Sequence, residues 1–504
     1  MFTKDALDEI EQWQKTNAAH YQLDWQWFSR YQQLASYSDV GWLTQAGPFS
    51  EEQQQEWNRL LNQKDDGSAS NRLSTIIAAS RKRELDSSLK EQREPRFHYP
   101  RIPADEVQER IAGFSQLRSE IEKSEPNIIV RRLYLNAIDE LLNELHMIDA
   151  TSRQDDEAFW HYNQSLNPTP TDAEMEIALR PLISLLRRGL QRSNTQDLAD
   201  HLLQQISSWL RNPLDSYNVS EDAEQAEMES QNKESLVLHG PEKLFSPEVV
   251  GRFFVEVFRR YQFPWTIKYD EAIDHAYVNQ SHKQLFLPTN KWISSKKIRD
   301  LLGHEIETHV FRAVSGEKSL LALLSLGFGG YLETEEGLAI YYAQEIDAYN
   351  AIGKLDRSWI GTLATGLAAG VICEPFTFRK LQGFLESVNT LRGLLARADV
   401  PFLQIQEEAR RNAQNRCLRT WRGVTDLTYA GICSTKDNIY LRGYLTISQA
   451  LEQDITMFER LMVGAVGIEH LADLAELGIT VSPIKHQRLA VDPDLDSYIE
   501  RFVD

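Results

Sequence analysis

Residues 297–312, KIRDLLGHEIETHVFR, constrain the fold more than any other stretch of the chain. Leu301, Leu302, Ile306, Val310 and Val314 recur at helical spacing and define one buried stripe. The same helix carries His304, Glu305, Glu307 and His309. Whatever buries the stripe also draws ionisable side chains inward, and buried polar groups without partners are costly. This helix must therefore lie where neighbouring elements supply partners.

The spacing adds a second constraint. His304, Glu305 and His309 read H-E-x-x-x-H, one residue longer than the commoner H-E-x-x-H of zinc peptidases. Zinc takes two neutral imidazoles, each about 2 Å away, from one side of a helix. On a regular helix, residues four apart are about 40° out of line and residues five apart about 140° out. Only a local i→i+5 turn, a π-bulge, brings the two imidazoles together. Glu305, between them, is placed to act as a base on a water at the metal. The string alone is a weak signal in 504 residues with 12 histidines.

A third ligand is expected downstream. Residues 333–344, ETEEGLAIYYAQ, read as a second helix with Thr334 as N-cap and carboxylates in its first turn. Gly337 permits a close backbone approach and Ala339 keeps the facing surface small. Residues 320–332, apolar and glycine-rich, are long enough to bring this helix back. Two histidines and one glutamate leave one position open for water. That donor set favours Zn²⁺ over Mg²⁺ or Ca²⁺, which prefer oxygen shells.

The rest of the chain frames this core. Five tryptophans (Trp13, Trp25, Trp27, Trp42 and Trp57) fall in the first sixty residues, so 1–95 is read as an aromatic-rich helical extension. Residues 96–235 read as a helical domain, ending in the acidic stretch 221–235. Residues 236–504 form the third unit. In it, Ser246 caps a helix over 247–261 with Pro247 at its first position. Alternating segments at 265–269, 276–278 and 284–287 then predict a small antiparallel sheet just before the 297–312 helix. The class is α+β, predominantly α-helical.

A net charge of −20 argues against nucleic-acid binding, which needs a basic face. No apolar run reaches membrane-spanning length. Cys373, Cys417 and Cys433 are odd in number and widely spaced, and read as reduced thiols. With no secretory h-region at the N-terminus, a cytoplasmic location is expected.

Three segments together resemble a known family: His304 to Arg312, Ser315-Gly316, and Gly327 to Ala339 with its Glu-Glu-Gly-Leu-Ala run. They are similar to the tyrosine carboxypeptidases, which include the microtubule-associated enzymes. Bacterial members are labelled flavohemoglobin expression-modulating QEGLA-motif proteins; here the motif is EEGLA. Weaker likeness extends over residues 100–485, including Ser434 to Asp437 with Tyr440 to Gly443. The resemblance implies a gluzincin-like zinc carboxypeptidase, with His304, His309 and Glu336 as ligands and Glu305 as base. Glu335 is the alternative ligand, but the family's glutamate directly precedes Gly-Leu-Ala. Glu307 is read as a supporting residue and Thr308 as one that orients a ligand.

A carboxypeptidase must also hold a terminal carboxylate, best done by a cation in a partly dry pocket. Arg422, Lys436 and Arg442 are the candidates, with Tyr440 for the oxyanion. Residues 284–287 could carry the substrate backbone as an added strand. The expected substrate is the C-terminus of a peptide or protein, with an aromatic residue removed. The competing readings are a zinc peptidase of another cleavage mode and a metal-binding regulatory protein without turnover.

Overall fold

The computed structural model describes residues 22–35, 50–61, 68–99, 104–212, 243–271, 273, 276–279, 283–346, 352–397 and 400–503. The boundary read at 221–235, most of the charged stretch 63–70, and Trp13 and Trp42 lie outside them.

The N-terminal half is helical. Its helices are α1 (Trp25–Ala35), α2 (Glu51–Leu61), α3 (Ser68–Glu91), α4 (Ala104–Ser124), α5 (Ile128–Ser152), α6 (Asp156–Leu166), α7 (Asp172–Leu190) and α8 (Gln196–Trp209). Next come β1 (Leu244–Phe245), α9 (Pro247–Tyr261), β2 (Thr266–Asp270), β3 (Tyr277–Asn279), β4 (Gln284–Pro288) and β5 (Ile293–Ser294). The site region holds α10 (Ser295–Leu301), a π-helix (Leu302–Val310), α11 (Phe311–Glu317) and α12 (Tyr331–Ile346). The remaining helices are α13 (Ile352–Ala369), α14 (Phe378–Ala396), α15 (Phe402–Thr420), α16 (Ile439–Gln453), α17 (Met457–Leu461), α18 (Leu471–Glu476) and α19 (Leu495–Glu500). The class is α+β, predominantly helical, as the sequence predicts.

α9 starts where the capping signal puts it. Ser246 Oγ accepts from Val249 N, and Pro247 occupies the first turn, where its missing N–H costs nothing. The sheet differs from expectation. β4 is its central strand: β3 runs antiparallel to it, but β2 runs parallel. The chain reverses between β2 and β3 and again between β3 and β4, so β2 and β4 point the same way. Because both edges of β4 are taken, it has no free ladder for a substrate strand. Leu285 and Leu287 face the core, while Phe286 stacks on Tyr277 at 4.8 Å.

Two hydrophobic cores result, and neither respects the divisions at 95/96 and 235/236. The first joins α1, α4 and α5 to the sheet, the π-helix and the C-terminal residues up to Ile499. The second joins α6, α7 and α8 to α13, α14 and α15. α1 of the N-terminal extension is thus part of the first core, whereas Leu85 of α3 packs against the second. Asp24, fully buried, accepts from Ala322 N and Leu323 N at 2.9 Å each and from Tyr134 Oη at 2.8 Å. Trp27 Nε1 donates to Glu125 at 2.5 Å, and Leu23 N to Leu320 O at 2.7 Å.

Gly337 does what its position predicts. A Cβ there would lie 2.2 Å from the backbone carbon of Gly443, and one on Gly443 2.1 Å from Glu333 O. α12 and α16 therefore cross backbone to backbone. Alanine gains about 1 kcal/mol in helix propensity over glycine. Overpacking against backbone, which no rotamer relieves, costs about 1–3 kcal/mol. Gly337→Ala should therefore lower the denaturation midpoint; a raised midpoint would show the crossing to be looser than described.

Candidate metal centre

α10 opens at Ser294, whose hydroxyl accepts from Lys297 N at 3.3 Å. At Leu302 the backbone widens into the π-helix, which continues through Val310. This is the distortion that the H-E-x-x-x-H spacing demands. The rings of His304 and His309 come to 4.9 Å between centroids, with their planes 81° apart. Thr308 Oγ1 donates to Gly303 O, five residues back, at 2.8 Å. The Thr308 hydroxyl thus steadies the wide turn, where the sequence reading had it orienting a ligand.

Glu307 pins the π-helix. Its carboxylate is fully buried and accepts from Tyr261 Oη, from Tyr342 Oη at 2.8 Å, from Leu489 N at 2.7 Å and from Ala490 N at 3.0 Å. Four donors compensate a buried carboxylate that would otherwise be prohibitive. Burial, reinforced by the Glu307 charge, pushes both phenols far above their ordinary pKa. His486 Nε2 meets the Glu307 carbonyl at 2.9 Å.

α12 begins at Tyr331, so Thr334 lies inside it and is no N-cap. Its hydroxyl instead accepts from Ile468 N at 3.3 Å. Glu335 and Glu336 are consecutive and so point about 100° apart. Glu336 Oε2 lies 3.8 Å from His304 Nε2. His304, His309 and Glu336 each bring one ligand atom, all within 4.8 Å of one another. With zinc bonds of about 2.0–2.1 Å, a tetrahedral set has neighbours about 3.3 Å apart. Small side-chain rotations close the difference, and two nitrogens with one oxygen suit zinc.

Glu335 takes a different part. Its Oε1 lies 2.8 Å from His309 Nδ1, and its other oxygen pairs with the fully buried Arg312. Arg312 also donates to Leu461 O at 3.1 Å and Val466 O at 2.6 Å. With Nδ1 donating to Glu335, His309 keeps the lone pair of Nε2 for a metal. The sequence reading missed Arg312. It lies three residues after His309, on the same helical face, which is a readable signal.

The two histidines titrate in opposite directions. Burial, helped by His309 and Lys297, holds His304 well below its ordinary value, so it is the neutral ligand form. Burial also opposes charging of His309, but its bond to Glu335 and the fields of Glu336 and Glu305 outweigh this and push it up to about 9. The carboxylates that favour a proton on His309 would favour a cation among the ligand atoms equally. Burial pushes Glu305 up to about 7, against the pull of His309.

The other candidates are spread around this centre. Tyr440 is close enough that the Glu336 charge is the largest influence raising its phenol. Lys436 and Arg419 both act on Glu336 from the opposite sign. Arg422 belongs to a cluster on Asp437, a nearly buried carboxylate that pairs with Arg416, with Arg419 at 2.8 Å and with Arg422 at 3.9 Å. Three guanidiniums on one carboxylate leave a surplus of positive charge, and the Nε atoms of Arg419 and Arg422 are buried without hydrogen-bond partners among the described residues. Arg442 is drawn elsewhere. It pairs with Glu174 at 2.5 Å and donates to the carbonyls of Pro168 and Thr169, clamping α16 to the start of α7. Its guanidinium is thus engaged at α7, whereas Arg419, which the sequence analysis does not single out, acts on Glu336.

Among the described residues no helix is long and apolar enough to cross a membrane. No curated protein matches the chain. The family model described as microtubule-associated tyrosine carboxypeptidase matches residues 214–346. That span contains the π-helix, His304, Glu305, His309 and Glu336, and it supports the tyrosine carboxypeptidase-like family for this chain.

Proposed function

We propose that the protein is a zinc-dependent carboxypeptidase that releases an aromatic residue, Tyr or Phe, from the C-terminus of a peptide or protein. The observation that carries this reading is the convergence of His304, His309 and Glu336 across a π-helix, with Glu305 beside them. Carboxypeptidase chemistry follows from the family match; zinc and the aromatic preference are our extension of it.

His304, His309 and Glu336 would hold the metal. Zinc bound there supplies Lewis acidity toward a carbonyl and toward water. Glu305 takes the proton of the attacking water as its oxygen joins the carbonyl carbon. It then returns that proton to the departing amine nitrogen as the C–N bond breaks. A carboxylate raised toward neutral pH by burial is suited to both transfers. The Tyr440 phenol donates to the oxygen that becomes negative. Glu335 and Arg312 keep His309 oriented throughout. Arg419, with Arg422 and Lys436, supplies positive charge for the substrate's α-carboxylate.

An intact Glu305 disfavours a purely regulatory metal protein, because a structural site needs no base. A cytoplasmic setting belongs to the same proposal: Cys373, Cys417 and Cys433 are buried free thiols.

The test is a peptide ending in tyrosine, offered with a free or an amidated C-terminus, with products read by mass spectrometry. Amidation removes the charge that the arginine cluster would bind, and should lower kcat/KM by at least about 100-fold, the loss of a charge-assisted pair in a desolvated pocket. Equal cleavage of both forms would support an endopeptidase instead.

A further inference from the structure

A cavity of about 350 Å³ lies between α1, α5 and the turn that leads into α12. Its polar walls are Tyr31 and Gln32 from α1, Glu140 and Glu144 from α5, Tyr331 at the start of α12, and Lys436. Lys436 also acts on Glu336, so the cavity adjoins the metal centre. Of these residues the mechanism above uses only Lys436.

Its chemistry is specific. Two carboxylates face one ammonium, which leaves one negative charge over. Glu140 accepts from Gly330 N, but Glu144 makes no hydrogen bond or ion pair among the described residues. Tyr31, 4% exposed, also lines the cavity and makes no side-chain hydrogen bond among the described residues. Burial raises both carboxyls, Glu140 to about 7, against the pull of Lys436. The walls are aromatic and rigid. Tyr31 packs edge-on against Phe114 and Tyr134, and the Tyr331 ring lies over Gly327, where a side chain would meet it at 2.2 Å. Phenol faces and carboxylates together recognise an organic cation better than any neutral group.

We infer that this cavity is a substrate pocket for a lysine or arginine side chain on the acyl side of the scissile bond. The assignment to the acyl side rests on the carboxypeptidase reading. The released residue brings its own α-carboxylate, which Glu140 and Glu144 would repel, whereas residues before the scissile bond are carried away from it. The pocket also gives the N-terminal extension a role. α1, tied down through Asp24 and Trp27, supplies Tyr31 as one wall, so residues outside the family match shape which substrates fit.

Two measurements on the full-length, zinc-loaded protein test this. Arginine and citrulline have the same shape but differ in charge. Peptides ending in tyrosine, with arginine or citrulline one or two residues before it, should be cleaved at rates differing at least tenfold in favour of arginine at one of these positions. Glu144→Gln should bring that ratio to within about twofold, as expected when a charge partner is lost. Equal rates in the parent would overturn the pocket and leave the carboxypeptidase reading standing. If no peptide is cleaved, that reading fails, and calorimetry then decides the pocket alone. N-acetylarginine methylamide should bind at least tenfold more tightly than N-acetylcitrulline methylamide, with the preference lost in Glu144→Gln. Equal binding of the two amides, or a preference that survives Glu144→Gln, would overturn it.

Discussion

Glu305→Gln should bind as much zinc as the parent and lose about 10²–10⁴-fold in kcat, the range set by removal of a general base. That corresponds to about 3–5 kcal/mol of the activation barrier. The glutamine fills the same space, so the walls around it are undisturbed. It has no lone pair basic enough to take a proton from water. Glu336, the carboxylate proposed to hold the metal, comes from α12 and is untouched. The loss should therefore appear in kcat with little change in KM, because Glu305 acts on the reacting atoms and not on the substrate's terminal charge. Metal content by mass spectrometry and steady-state kinetics on one preparation check both halves. A glutamine variant within a few-fold of the parent would assign the base to another residue.

His304→Ala, His309→Ala and Glu336→Ala should each reduce zinc from about one ion per chain to a small fraction of that, since three protein ligands leave no redundancy. Turnover should fall with the metal. The three differ in their side effects. His304 and Glu336 have side chains 27% and 15% exposed, and their removal opens space toward solvent. His309 is bonded to Glu335, which is also paired with buried Arg312. Removing that ring leaves Glu335 with Arg312 alone, so His309→Ala should also unfold at lower denaturant than the other two. Full zinc retention in all three variants would dismiss the assignment.

Much of this centre was legible because it is local. Five apolar residues at helical spacing fix a buried face, and two histidines five apart on that face force a π-turn. The glutamate that precedes Gly-Leu-Ala needed the resemblance to single it out, since Glu335 is its immediate neighbour. Glu335 is in fact bonded to His309, and only three-dimensional packing distinguishes a ligand from the residue that orients one. Arg442 shows the opposite limit. Its place in a family-like stretch suggested substrate binding, yet Glu174, 268 residues earlier in the chain, claims it. Arg419 sits on an otherwise polar helix and acquires meaning only through Asp437. The parallel pairing of β2 and β4 was hidden for a similar reason: alternation reveals a strand but not its direction. Nor does any pattern in residues 1–95 announce that Tyr31 will line a cavity beside the site.

The partners of Glu307 bear on how the protein is made. The π-helix is synthesised before most of the residues that brace it. Two of the four donors to its buried carboxylate are the amides of Leu489 and Ala490, about 180 residues later. Arg312 likewise waits for the carbonyls of Leu461 and Val466. Until those residues leave the ribosome, the helix carries a carboxylate and a guanidinium that it cannot bury. A nascent chain stalled before residue 489 would therefore present His304 and His309 on a helix without the braces that hold them.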